Sequence, residues 1–162
     1  MAATQDIVAT YRGPGRVVSR LLGQGVREDR ALIILMLGCL ILFVAQTPRL
    51  AREAFETGEE LNGLLAASLM ALVFIAPLIF YLIAGLVYLL ARLLGLGLSG
   101  YGARLSLFWA LLAASPVILL WGLTAGFVGP GIELSLVGAI WCGVFLWFWI
   151  AGLIAASRDG RT

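Results

Sequence analysis

The sequence lacks several residue types on which enzymes and ion-coupled transporters depend. Its 162 residues include no histidine, no lysine, two cysteines and only 12% charged residues. Without histidine, the chain has no imidazole to ligate a metal ion or a haem, or to relay protons. Cys39 and Cys142 lie inside apolar runs and outside any CxxC motif, so we interpret both as small buried hydrophobic residues. We therefore predict a non-enzymatic chain with no catalytic residue, no cofactor and no metal site.

Hydrophobic residues are in excess and make up 62% of the chain, whose mean hydropathy is +1.04. A soluble domain is about 45–50% apolar and about 25% charged, so this chain would expose too much apolar surface in water. About 20 apolar residues cross a bilayer as a helix. The net charge of +2 is too small for a nucleic-acid-binding surface. These figures predict an all-α integral membrane protein with no nucleic-acid partner.

The apolar residues fall into four segments, at about 31–47, 61–91, 105–128 and 132–156. No charged residue lies in the interior of any segment, although Glu133 stands at the edge of the fourth. The second segment is long enough for two short spans, which leaves five spans as the alternative. Pro77 and Pro116 each remove a backbone donor and clash with the carbonyl four residues earlier. We predict a bundle of four transmembrane helices within residues 31–156, kinked but not broken at these two prolines.

Arginine positions indicate how the helices cross the membrane. Nine of the 11 arginines precede the first span, connect the second and third spans, or lie in the tail at 157–162. Only Arg49 and Arg52 lie in a connection on the other side. Because cytoplasmic connections carry the excess of arginine, we predict an even number of spans with both termini in the cytoplasm. Residues 1–30 show no early apolar core, so we expect no cleavable signal peptide and a location in the bacterial inner (cytoplasmic) membrane.

Two local motifs predict helix starts between the first and second spans. Thr47-Pro48 resembles an N-cap and a first helical residue, which predicts a short surface helix ending at Glu56. Thr57 and Glu60 fit a capping box, which predicts that the second helix starts there.

Aromatic side chains near the cytoplasmic ends are expected to anchor the membrane interface. They are Tyr88, Tyr101, Trp109, Trp147 and Trp149.

The cytoplasmic segment 1–30 is predicted to contain an amphipathic helix on the membrane surface, between Pro14 and Val26. Its apolar residues share one helical face and its arginines share another. The apolar residues are Val17, Val18, Leu21 and Leu22, and the arginines are Arg12, Arg16 and Arg20. A solvated, partly frayed tail is the alternative.

The stretch from Gly95 to Gly100 matches G-x-G-x-x-G, the pattern of dinucleotide-binding proteins. That fingerprint needs a strand before it and an acidic residue about 20 residues later, so we interpret the match as a glycine-rich loop. Arg92 and Arg104 flank this loop, where backbone amides would help to hold a lipid phosphate. The predicted contacts to anionic lipid headgroups are Arg12, Arg16, Arg20, Arg92 and Arg104.

Small residues recur four positions apart in the third and fourth segments. The pairs are Gly122 with Gly126, Ala110 with Ala114, and Gly138 with Cys142. Such ridges let helix backbones approach closely in lipid. We interpret them as packing surfaces within one subunit, with a face for a partner helix as the alternative.

Three features carry a family resemblance. A basic N-terminal stretch contains a proline, from Arg12 to Val17; a loop of small residues, Tyr101 to Arg104, leads to a helix kinked at Pro116; and the last span is rich in tryptophan. In these features the chain resembles the bacterial branch of the YIP (Ypt-interacting protein) domain family of small polytopic membrane proteins. The resemblance implies a membrane protein without catalytic residues, usually with five spans. Eukaryotic members are associated with Rab-type GTPases, but their acidic-leucine-tyrosine-glycine-proline motif is absent here, so that partner is not implied.

The predicted function is that of a scaffold or membrane organiser, which acts through helix–helix and lipid contacts. Its expected partners are the bilayer, anionic lipid headgroups and other membrane proteins. One alternative is an accessory or assembly subunit of a larger respiratory or photosynthetic complex. Another is a small channel or permease gated at Pro77 and Pro116. The absence of ionisable residues inside the spans argues against an ion-coupled pump.

Overall fold

The structure, a computed structural model, describes residues 3–159, of which 87% are helical and none lies in a β-strand. The helices are α1 (Ala3–Arg12), α2 (Pro14–Leu22), α3 (Glu28–Thr57), α4 (Leu61–Met70), a π-helical turn (Ala71–Ile75), α5 (Ala76–Leu93), α6 (Gly100–Ala113), α7 (Ser115–Phe127) and α8 (Ile132–Asp159). The prediction of an all-α chain is confirmed. Arg161, in the tail predicted at 157–162, lies outside the described residues.

Three helical stretches are long and apolar enough to cross a membrane. They are α3, the continuous stretch from α4 to α5, and α8, with 30, 33 and 28 residues. The pair α6 and α7 would make a fourth if it is one bent crossing. The second predicted segment, 61–91, is one stretch, so it does not divide into the two short spans of the five-span alternative.

Contacts between α3 and the α6–α7 pair show that these segments run in the same direction. Gly38 of α3 faces Leu111, Ala45 faces Gly122 farther along, and Arg52 reaches the carbonyl of Gly126 beyond that. The contacts therefore follow the same order along α3 and along the α6–α7 pair.

The other two segments run in the opposite direction. Along α8, Gly138 faces Trp121 of α7, whereas Gly152 faces Ser106 of α6. Along α5, the ring of Tyr81 contacts that of Phe108, with centroids 4.9 Å apart, whereas Tyr88 lies beside Gly100 at the start of α6. The four segments alternate in direction, and the connections rich in arginine meet at one end.

Helix α6 occupies the centre of the structure. Twelve of its 14 residues are buried, and α1, α2, α3, α5 and α8 all pack against it. The helix is apolar on all sides, and a helix of this kind is stable only when it is surrounded. Ser106, one of its few polar residues, donates its hydroxyl to the carbonyl of Gly102 at 2.7 Å.

Pro116 breaks the third segment, whereas a kink without a break was predicted. Helix α6 ends at Ala113, α7 starts at Ser115, and their axes differ by 46°. Pro116 cannot donate to the carbonyl of Leu112, and its ring would clash with that carbonyl in a straight helix. It lies instead in the first turn of α7, where the missing N–H needs no partner.

Pro77 leaves the second segment continuous, as predicted. The five residues of the π-helical turn Ala71–Ile75 come just before it, and Pro77 lies in the first turn of α5. A single π-helical turn is a common way to accommodate a disturbed hydrogen-bond ladder within a helix.

Helix α3 extends past the first predicted segment, 31–47, and continues without interruption to Thr57. The surface helix predicted to start at Thr47-Pro48 is therefore wrong. Pro48 lies inside α3, and the hydroxyl of Thr47 donates at 2.7 Å to the carbonyl of Val44, the acceptor that Pro48 leaves without its usual donor. A neighbouring side chain thus replaces the missing backbone bond.

The predicted capping box is also wrong. Thr57 is the last residue of α3, and its hydroxyl donates to the carbonyl of Glu53 at 2.8 Å. Gly58 follows with φ +75°, a left-handed conformation that ends helices and favours glycine. Helix α4 starts only at Leu61, after Glu60. Thr57 and Gly58 therefore end α3, and the N-cap residue of α4 is Glu60 instead of Thr57.

The small-residue pairs mostly pack inside the chain. A Cβ atom built at Gly122 would overlap the backbone of Ala45, and one at Gly126 would overlap Pro48. Ala110 and Ala114 are fully buried. These residues are helix-packing surfaces within the chain, as one of the two interpretations predicted.

The two members of the last pair, Gly138 and Cys142, differ in burial, and so do the two cysteines. Gly138 faces Trp121, whereas Cys142 is exposed on the surface of α8. The prediction that both cysteines are buried is therefore correct for Cys39 and wrong for Cys142, because α8 turns that face away from the other helices.

The contrast between two glycines tests this packing. We expect Gly122→Ala to reduce the free energy of unfolding by about 1–3 kcal/mol, because its methyl group must displace the backbone of α3. In the control, Gly143→Ala, the new Cβ would meet no atom of another helix within residues 3–159 at 4 Å or less. The higher helix propensity of alanine adds up to about 1 kcal/mol there. Unfolding in detergent, followed by circular dichroism, measures both; equal effects at the two positions would contradict the packing.

Candidate functional site

The N-terminal helices α1 and α2 cover the arginine-rich end of the structure. Sequence reasoning predicted one surface helix, but the chain forms two, which meet at Gly13. Val17, Val18 and Leu21 are buried against α6 and α8, and Leu22 is half-buried. The apolar side chains of α2 are therefore covered by protein within the described residues. The frayed-tail alternative is wrong for residues 3–22.

A buried polar contact ties α1 to α6. The indole Nε1 of Trp109 donates to the hydroxyl of Thr10 at 3.0 Å, and that hydroxyl donates to the carbonyl of Asp6 at 2.7 Å. Thr10 is fully buried, and the carboxylate of Asp6 forms an ion pair with Arg20 of α2. One hydroxyl therefore satisfies both a buried indole and a helix carbonyl.

A second contact joins α1 to α8. The rings of Tyr11 and Phe148 pack in a T-shaped arrangement, with centroids 4.9 Å apart and planes at 90°. Burial raises the pKa of Tyr11 above its ordinary value, so its hydroxyl stays neutral at physiological pH. The two contacts hold α1 against two different helices.

The aromatic residues predicted to anchor the interface do not form one belt. Tyr101 is 5% exposed and Trp109 is 3% exposed, because both belong to the buried helix α6. Trp147 is exposed, whereas Trp149 packs beside Phe145 with ring centroids 5.9 Å apart. Of these four, only Trp147 is exposed, and it lies near the middle of α8.

The five arginines predicted to contact lipid headgroups lie at the same end but differ in their partners. Arg12, Arg16 and Arg92 are exposed on the surface. Arg20 pairs with Asp6, and Arg104 pairs with Glu28 at the start of α3. The last two arginines therefore also link helices to one another.

The glycine-rich loop after α5 starts α6. Gly95 has φ +69°, which glycine adopts without strain, and α6 begins at Gly100. The hydroxyl of Ser99 accepts the N–H of Gly102 at 2.9 Å, which makes Ser99 the N-cap that sequence reasoning missed. The residue type and position of Ser99 are the signal that would have identified it.

A cavity of about 440 Å³ lies between α1, α2, α3 and α6. Its polar lining residues are Asp6, Arg20, Gln24 and Arg30, and its apolar lining residues include Ile33, Ile34, Leu37 and Leu112. The Nη1 atom of Arg30 is buried and has no hydrogen-bond partner within residues 3–159. Sequence reasoning used Arg30 only as a topology signal and did not identify this cavity.

The opposite end holds the other two arginines. Arg49 pairs with Glu53 at 3.0 Å, and Arg52 pairs with Glu56 at 2.7 Å, one turn apart along α3. Arg52 also donates to the carbonyl of Gly126 at 3.3 Å. These contacts stabilise the last turns of α3 and link them to α7.

Comparison of the chain with family models, with curated proteins and with solved structures finds no match.

The contact between Thr10 and Trp109 gives a test of how firmly α1 is held. We expect Thr10→Val to reduce the free energy of unfolding by about 1–3 kcal/mol, because it leaves the buried indole N–H without an acceptor. Thr10→Ser keeps the hydroxyl and serves as the control. In a double-mutant cycle, Trp109→Phe should lower the free energy of unfolding by less in the Thr10→Val background than in the wild type. Additive effects would mean that the hydrogen bond contributes nothing.

Proposed function

We propose that this chain is a four-span protein of the bacterial inner membrane that works as a scaffold or membrane organiser without catalysing a reaction. The observation that carries the proposal is the separation of charge from apolar surface. Arg30 and Arg49 bracket 18 uncharged residues of α3, which rise about 27 Å, close to the thickness of a bilayer core of about 30 Å. The bent pair α6 and α7 serves as the third of the four crossings in this proposal.

The orientation that we propose has both termini in the cytoplasm. The alternating helix directions bring eight of the ten arginines within residues 3–159 to one end. Only Arg49 and Arg52 lie at the other end. An excess of arginine favours the cytoplasmic side, which supports this orientation.

Contacts with lipid and with other helices support the scaffold role. Large apolar side chains point outward from the helices that surround α6. On α5 and α8 they include Leu78, Leu82, Leu86, Leu136, Ile140 and Ile150. Such a belt suits a helix bundle in lipid and leaves helix faces free for protein partners.

The resemblance to YIP-domain proteins forms part of the proposal. Two of the stretches that carry it have structural roles: the proline-bearing basic stretch forms the junction of α1 and α2, and Ala114-Ser115-Pro116 forms the break between α6 and α7. The proposed count of four spans differs from the five that are usual for that family.

The packed centre favours a scaffold over a channel. Leu105, Phe108 and Leu111 of α6 are buried between the surrounding helices, at the position where a central pathway would run. One observation supports the alternative of an accessory subunit: α8 has an exposed face around Cys142 and Gly143.

A labelling experiment tests the orientation. Single cysteines replace Glu59 or Leu94, two exposed residues at opposite ends, in a Cys39→Ala, Cys142→Ala background. In intact cells, a membrane-impermeant maleimide should label the cysteine at position 59 and leave the one at position 94 unlabelled until the cells are lysed. The reverse pattern, or labelling of both in intact cells, would contradict the proposed topology.

Reconstitution tests the function. In proteoliposomes we expect no flux of ions or small solutes above protein-free vesicles, because the centre of the bundle is filled. After gentle extraction, mass spectrometry should detect a reproducible set of membrane proteins with the wild type, and fewer with Gly143→Leu, which changes the exposed face of α8. Selective flux would favour the channel, a complex of fixed stoichiometry would favour the accessory subunit, and a lone monomer would contradict all partner-binding roles.

A further inference from the structure

We propose that the cavity beside Arg30 binds one anionic glycerophospholipid, with the lipid phosphate on the guanidinium of Arg30 and an acyl chain along α3. This site deepens the proposed function, on which it rests for the placement of this end at a membrane surface. It differs from the exposed arginines of α1 and α2, because it is a cavity between helices.

The shape of the cavity suits a lipid that enters from the side. Ile34 and Leu112 form its buried inner wall, whereas Ile33 and Leu37 are 57% and 41% exposed at its outer margin. The volume of about 440 Å³ falls within the range of about 300–1,000 Å³ that is usual for small-molecule sites. An apolar chain entering here would lie against leucine and isoleucine side chains.

The charge of the polar lining suits a phosphate. Two arginines and one aspartate line the cavity, and the carboxylate of Asp6 is already paired with Arg20. Arg30 lines the cavity, and its buried Nη1 finds no acceptor within residues 3–159, so the protein leaves part of the donor capacity of this guanidinium unused and available to a phosphate. The nearby indole of Trp109 donates to Thr10 and does not compete for the same ligand.

The position of Arg30 along α3 also suits a headgroup. It is the last charged residue before 18 uncharged ones, which places its side chain at the boundary of the apolar layer. Ile33 and Leu37 follow by one and two turns on the same side of the helix. The order along α3 is therefore a charged group followed by apolar groups, as in the lipid itself.

Lipid retention in nanodiscs tests the site. The full chain is assembled with equal amounts of palmitoyl-oleoyl phosphatidylglycerol and phosphatidylcholine, released into detergent, and analysed by native mass spectrometry for lipid that stays bound. We expect one phosphatidylglycerol per chain in the wild type. Arg30→Gln should weaken its retention by about tenfold or more, the loss expected for a charge-assisted hydrogen bond. Arg158→Gln, which removes the same charge from an exposed position at the same end and outside the predicted headgroup contacts, is the matched control and should retain lipid as the wild type does.

Two further measurements separate the site from loss of folding and from free phosphate. Leu37→Trp keeps Arg30 but fills the apolar margin, and should also reduce retention while thermal unfolding stays within a few degrees of the wild type. Millimolar inorganic phosphate should not displace the lipid, because it lacks the acyl chain. Displacement by phosphate would mean that the cavity binds the free anion.

Several results would overturn the site. They are equal retention by Arg30→Gln and the wild type, equal losses with Arg158→Gln, or equal retention of phosphatidylcholine and phosphatidylglycerol. Because binding in detergent does not depend on orientation, such a result leaves the proposed topology standing. Reversed cysteine labelling would contradict the topology without removing the bound lipid.

Discussion

The complete enclosure of α6 is the constraint on which the rest of the structure depends. A helix with 12 of 14 residues buried needs neighbours on every side, and α2, α3, α5 and α8 provide them. Its small residues Ala103, Ala110 and Ala113 are each almost fully buried, so the surrounding helices approach its backbone closely. The large apolar residues that remain exposed then lie mainly on the outer helices, which gives the protein an apolar outer surface.

Two prolines and a threonine show how the long helices tolerate missing backbone donors. At Pro48 the hydroxyl of Thr47 replaces the lost donor, so α3 stays continuous. At Pro116 no such replacement keeps the helix straight, and the chain turns by 46° between α6 and α7. This turn lets α6 remain in the centre while α7 continues along α3. The different outcomes follow from the neighbouring side chains and the packing, since the proline itself is the same in both places.

In the described residues, the ion pairs and the polar contacts between helices lie mainly at the two ends of the bundle, and the two ends differ in the kind of contact they contain. At one end, short-range pairs between arginine and glutamate stabilise the last turns of α3. At the other, Asp6, Thr10 and Trp109 fasten the N-terminal helices to the centre, and a cavity remains beside Arg30. This second end is where long-range polar contacts, exposed arginines and an open cavity occur together. Any recognition of lipid headgroups by this chain therefore has its structural basis there.

The sequence by itself determined the class of the protein, its approximate segments and the segregation of its charges, because long uncharged apolar runs are stable as helices in lipid whatever their neighbours. It also indicated that Gly122 and Gly126 serve close packing. Only the tertiary structure decided that α6 is central, that α2 buries its apolar face on protein, that Thr57 ends a helix and that Arg30 lines a cavity. Apolar periodicity shows that a face is to be buried but not whether lipid or another helix covers it, and that choice depends on contacts between residues far apart in the chain, such as Thr10 and Trp109.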